Sequence, residues 1–139
     1  MTNVTSQVFG WPIRIYFEDT DATGVVYHAN YLRYFERARS EWLRARDFTH
    51  ERMLKEHGAV FTLTDVNVSY LKPARLGDVL EATAEVAETS RITMTFAQTL
   101  RRPETPSDVL TRASVRVVCV DALSFKPRAW PPGWLPGGK

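Results

Sequence analysis

The sequence predicts an α+β fold with a five-stranded antiparallel sheet, and three observations carry that prediction. A lone strand-like run precedes one long amphipathic stretch. Four segments of alternating polarity follow it, separated by short turn signals. Consecutive strands with such turns pair antiparallel, and an amphipathic helix has to cover one sheet face.

Ile13 to Glu18 alternates, with Ile13, Ile15 and Phe17 on one side and Arg14, Tyr16 and Glu18 on the other, which reads as a strand. From about Asn30 to Arg46 the apolar residues Tyr31, Phe35, Ala38, Trp42 and Ala45 recur at helical spacing. Arg33, Glu36, Arg37, Ser40, Glu41 and Arg44 fall on the other side, with Arg37 and Glu41 an i,i+4 pair. Asn30 is the expected N-cap. Thr49 to His57 reads as a second, short helix, capped by Thr49 and ended by Gly58.

The rest is strands. Val60 to Leu71 changes phase near Thr64-Asp65, which predicts a bulge. Pro73 and Gly77 mark a turn. Asp78 to Glu88 places Leu80, Ala82, Ala84 and Val86 inward, and Glu88 to Arg91 is a hairpin candidate. Ile92, Met94 and Phe96 continue the alternation. Arg102 to Asp108, with two prolines, reads as a loop, and Val109 to Val120 as the last strand. One helix cannot hide both faces and both edges of such a sheet, so a homo-oligomer is expected.

With 139 residues, 44% hydrophobic and 24% charged, the chain reads as one globular domain over 1–139. A flexible N-terminus over 1–10 and an extended Pro/Gly-rich tail over 127–139 flank it. A net charge of +2 is too small to argue for nucleic acid. The single cysteine, Cys119, allows no intrachain disulfide and fits a reducing compartment. No stretch resembles a secretory or membrane-spanning segment, so the expectation is a cytoplasmic protein without membrane insertion.

Several chemistries find no support. No Gly-rich phosphate loop follows a strand, His28, His50 and His57 lack metal-ligand spacing, and no serine sits in a Gly-x-Ser-x-Gly turn. What remains is an acid. Asp21 follows the first strand in a bend that Gly24 permits, just before the long helix. As a turn or cap residue it would need no further role. The backbone N–H of His28 lies where helix N–H groups lack intrahelical partners and can stabilise an oxyanion. Water or Asn30 would satisfy it equally well. Glu36, Glu41 and Asp47 interrupt the helix arginines, which makes them a solvated face. Lys72 and Arg75, on a proline-stiffened turn, are candidates for holding phosphates.

Together Arg14-Ile15, Thr20-Asp21, Gly24-Val25-Val26-Tyr27 and Asn30-Tyr31 resemble the signature of the 4-hydroxybenzoyl-CoA thioesterase family of hotdog-fold enzymes. Glu18 to Asp21, Val25 to Tyr31, Phe35 to Leu43 and Tyr70 to Arg75 are similar to its Tol-Pal-associated, YbgC-like branch of acyl-CoA thioesterases. The resemblance covers about Trp11 to Lys126. It implies a hotdog fold, in which the sheet wraps around one long helix and homodimers or homotetramers build the site at an interface. It implies hydrolysis of an acyl-CoA thioester without a cofactor, coenzyme A being part of the substrate. Asp21 would be nucleophile or general base, with His28 the oxyanion contact and a proton carrier. Gly24, Val25, Tyr27, Asn30, Lys72 and Arg75 would bind substrate. Thr23 stands where members of this branch often carry a second glycine. The alternatives are a hotdog dehydratase or hydratase, and a non-catalytic module binding acyl carrier protein.

Overall fold

In the computed structural model, which describes residues 8–135, the elements run β1 (Phe9–Arg14), a one-turn 3-10 helix (Phe17–Asp19), α1 (Asn30–Ala45), α2 (His50–His57), β2 (Ala59–Tyr70), β3 (Val79–Thr89), β4 (Thr93–Arg102) and β5 (Thr105–Asp121). The five strands form one antiparallel sheet in the order β1-β3-β4-β5-β2.

The first strand lies earlier than its alternation predicts. Phe9 and Gly10, expected in a flexible terminus, pair with Ala84 and Thr83, while residues 1–7 of that terminus lie outside the described residues. The strand ends at Arg14 because Asp19 captures the following backbone. Its Oδ2 accepts from the Tyr16 N–H at 2.8 Å, and its own N–H donates to the Tyr16 carbonyl at 3.0 Å. That local bonding outcompetes the ladder and leaves Phe17 exposed.

The 16-residue α1 buries Tyr31, Tyr34, Phe35, Ala38, Arg39 and Leu43 against the sheet. They meet Leu80, Ala82 and Ala84 of β3, Met94, Phe96 and Leu100 of β4, and Val115 and Val117 of β5 in one core. Each fully buried Phe or Leu contributes about 1.5–3 kcal/mol relative to exposure. Ala45, expected on the stripe, is exposed. Asn30 is the first helical residue rather than the cap, which falls on Ala29 without a side-chain bond. The Asn30 Nδ2 donates backward instead, to the Asp19 carbonyl at 3.1 Å. Glu41 pairs with Arg44 at 3.4 Å rather than with Arg37, whose guanidinium lies over the Tyr34 ring. The eight-residue α2 is capped as predicted. Thr49 accepts from the Arg52 N–H, and Gly58 closes it at φ 63°.

The predicted bulge appears as a register shift between Leu63 and Asp65. The predicted loop at 102–108 is instead a tight hairpin, with Arg102 facing Thr105 across Pro103-Glu104. The Pro73–Gly77 turn is a crossover rather than a hairpin, because β2 and β3 lie three strands apart in the sheet order. Residues 71–78 therefore travel past the end of the sheet. The Ile15 N–H donates to the Asp78 carbonyl, and the Val26 N–H to the Ala74 carbonyl, both at 2.9 Å. The tail docks as well up to residue 135, residues 136–139 lying outside the described residues. Trp130 is buried with its Nε1 donating to the Thr93 carbonyl at 3.2 Å, and Trp134 packs on Phe48 with ring centroids 4.7 Å apart. No described helix is long and apolar enough to cross a membrane.

Candidate active site

The crossover and the segment between the 3-10 turn and α1 are knitted together, and the cleft they enclose holds Asp21. Thr20 bridges to Val26, and Val25 bridges to Arg75. Between them the chain reverses. The Asp21 N–H donates to the Val25 carbonyl at 2.9 Å, and the Gly24 N–H to the Asp21 carbonyl at 3.0 Å. Gly24 completes the reversal at φ 85°, a conformation that side chains rarely adopt.

One carboxylate oxygen of Asp21, Oδ1, accepts from the Thr23 hydroxyl at 2.6 Å and from the Thr23 N–H at 2.8 Å. These bonds favour the ionised form. The Thr23 hydroxyl and then its N–H hold the Asp21 pKa below its ordinary value of 3.8. Oδ2 makes no hydrogen bond among the described residues, so it is available to a ligand.

Across the cleft, His28 precedes the first turn of α1. Its carbonyl accepts from the Tyr70 hydroxyl at 2.9 Å, which pins the approach to the helix. Its N–H makes no hydrogen bond among the described residues, whereas the neighbouring Tyr27 and Asn30 N–H groups are bonded to the Asp19 and Tyr27 carbonyls. An unpaired donor therefore sits at the positive end of the helix dipole. The His28 ring stands edge-on to Tyr70, with centroids 6.5 Å apart.

The cleft measures about 350 Å³ and brings Asp21, Val25, His28 and Lys72 together. Gly24, Tyr27, Asn30 and Arg75 do not line it. Gly24 and Asn30 shape the backbone around it, while Tyr27 is exposed beside it. Lys72 is held by Asp108 at 2.6 Å, and Arg75 has no ion pair among the described residues. Sequence reasoning missed Tyr70, Tyr31, Val26, Leu71 and Pro73 in the lining. Tyr31 and Tyr70 were legible only as core-facing residues of a helix and a strand. Their hydroxyls are the missing signal, since Tyr31 accepts the Ala74 N–H at 3.1 Å.

A cleft lined both by an ionised carboxylate and by a residue with an unpaired backbone N–H suits attack on a carbonyl carbon beside a stabilised oxyanion. The chain belongs to the Thioesterase superfamily, whose pattern matches residues 23–107. It is 43% identical over 128 residues to the acyl-CoA thioester hydrolase YbgC of Escherichia coli O6:H1, covering 92% of this chain and 93% of that one. It is 44% identical to the acyl-CoA thioesterase YbgC of Haemophilus influenzae, with 88% of each chain covered. Among solved structures, a hypothetical protein from Aquifex aeolicus superposes with a TM-score of 0.80 at 32% identity, over 88% of this chain and 93% of that one. A 1,4-dihydroxy-2-naphthoyl-CoA thioesterase from Synechocystis does so with 0.81 at 22% identity, over 90% of each, a likeness of fold.

Proposed function

We propose that the protein hydrolyses an acyl-CoA thioester to a free acid and coenzyme A, with Asp21 as the reactive carboxylate. The observation that carries this reading is the pairing of two free groups on one cleft, the Asp21 Oδ2 and the His28 N–H. The relatives named acyl-CoA thioester hydrolases support the substrate class.

In the reaction the thioester carbonyl oxygen accepts from the His28 N–H as negative charge develops on it. Asp21 then acts in one of two ways. As nucleophile it bonds to the carbonyl carbon, the C–S bond breaks, and water cleaves the resulting mixed anhydride. As general base it takes a proton from water while the water oxygen attacks. Either route needs the ionised form that Thr23 favours. The His28 side chain returns a proton to the departing thiolate in this reading. Val25 borders the acyl group, and Tyr27 and Asn30 flank the entrance. Arg75, free of ion pairs among the described residues, and Lys72, once exchanged from Asp108, meet the coenzyme A phosphates. No cofactor is required.

The assembly we assign is a homodimer or homotetramer. The twelve-residue β2 is an edge strand with one unpaired side, and Leu63 and Val66 stand exposed along it. The sequence resemblance supports placing the protein in the Tol-Pal-associated branch and in the cytoplasm. Acyl carrier protein is a second candidate donor of the acyl group.

Thiol release from a panel of short, long and aromatic acyl-CoAs tests the reading. Turnover on at least one member is expected. Acyl-CoA hydration without thiol release would establish the dehydratase alternative, and binding to acyl carrier protein without turnover would establish the scaffolding one.

A further inference from the structure

Among the described residues, Arg39 is the only charged residue in the buried set, with 9% of its surface exposed. A guanidinium carries five N–H donors. Arg39 uses one of its nitrogens, Nη1, to donate to the Gln98 Oε1 at 2.9 Å, and makes no other hydrogen bond or ion pair among the described residues. Gln98 is itself locked, its Nε2 donating to the Phe35 and Thr83 carbonyls at 3.0 Å each. The cation is therefore positioned by a fixed amide and has no ion pair among the described residues, the Glu36 carboxylate acting on it only at longer range. Holding an unpaired charge in the interior is costly, so an anionic partner would gain from meeting it.

Arg39 borders a second cleft, of about 400 Å³, between α1, α2 and the first half of β2. It shares no lining residue with the Asp21 cleft. Leu32, Phe61, Leu63 and Val117 give it an apolar wall. His50, edge-on to Phe61 with centroids 4.6 Å apart, and Ser40 add hydrogen-bonding groups. The volume suits a small ligand, and the fork of a guanidinium matches a carboxylate. Arg33 and Glu36, both exposed, stand at the rim with opposite charges, which leaves Arg39 as the net charge of the cleft and suits a singly charged anion.

We propose that this cleft binds an amphipathic carboxylic acid, with the carboxylate on Arg39 and the hydrocarbon on the Phe61 wall. The carboxylate has two possible sources. It belongs either to a free acid or to the far end of an acyl group derived from a dicarboxylic acid. The second source rests on the thioesterase reading, and the first does not.

Calorimetry with octanoate and octylamine on the full chain tests the site without turnover. Octanoate should bind and octylamine should not, and Arg39→Met should weaken octanoate by about tenfold or more with an unchanged circular dichroism spectrum. Thiol release from octanoyl-CoA and from the mono-CoA thioester of octanedioic acid separates the sources. About tenfold higher kcat/KM for the second, lost in Arg39→Met, assigns the carboxylate to the acyl group. Equal kcat/KM with retained octanoate binding assigns it to the free acid. No octanoate binding to the wild type at millimolar concentration, or equal binding to Arg39→Met, overturns the proposal. Should Arg39→Met not fold, Glu36→Gln at the exposed rim takes its place. It should tighten octanoate by about threefold, and unchanged affinity overturns the proposal. Absence of thiol release from both thioesters and from the whole acyl-CoA panel would sink the thioesterase reading and leave the octanoate result standing.

Discussion

Asp21 is held in its charged form by its neighbour two positions on. The Thr23 hydroxyl and N–H both donate to Oδ1, so the carboxylate stays ionised below the ordinary aspartate range. A group whose folded pKa is depressed adds stability above its unfolded value and loses it as pH falls through the folded value. For activity the sign is the same: kcat/KM should stay flat with respect to Asp21 from pH 7 down to about pH 5 and fall only below the usual carboxylate range. Thr23→Val, which keeps the N–H and removes the hydroxyl, should move that acid limb upward, as a pH–rate profile would reveal. Gly24 is set by its backbone, since its φ is 85° and a Cβ there would meet nothing within 4 Å. Gly24→Ala should therefore cost about 1 kcal/mol through conformation alone, measurable in urea unfolding, and should lower kcat by displacing Asp21. Asp21 and Gly24 were legible in the sequence because an acid, a bend and a helix start are local features. The part Asn30 plays was not: read as an N-cap, it is the first residue of α1 and donates instead to a carbonyl eleven residues back.

At the scale of elements, α1 carries the consequence that sequence periodicity misread. Arg39 sits among alternating charges and reads as solvated, yet it lies inside. The reason is on β4, where Gln98 occupies a core-facing position between Phe96 and Leu100 and supplies the acceptor. A pairing across 59 residues leaves no trace in a helical pattern. Gln98→Leu would remove the amide that positions Arg39 and the donor to two carbonyls. It should cost about 3 kcal/mol in urea unfolding, with α1 retained in the circular dichroism spectrum. The long alternating runs of β2, β3 and β4 were legible because one sheet face is apolar. The order of strands was not, because the crossover at 71–78 resembles any Pro/Gly turn until its partners Ile15, Val25 and Val26 are known.

For the molecule as a whole, the C-terminal segment closes the end of the core away from the Asp21 cleft. Arg46 lies between Trp42 and Phe48, and Phe48 stacks on Trp134. Residues read as an extended tail are thus bound into the fold by their tryptophans, which composition alone did not reveal. Trp134→Ala should lower stability by about 3 kcal/mol or more in thermal or urea unfolding while leaving kcat within about twofold of wild type, since Trp134 does not line the Asp21 cleft. The segments that shape the Asp21 cleft lie far apart in sequence, at 20–28 and 70–75, and the sheet topology joins them.

The most direct test of the central claim is the kcat of Asp21→Asn for thiol release from an acyl-CoA that the wild type turns over. The substitution keeps shape and removes charge. A fall of about 10²–10⁴-fold with the fold intact is expected. Turnover near the wild-type rate would contradict it.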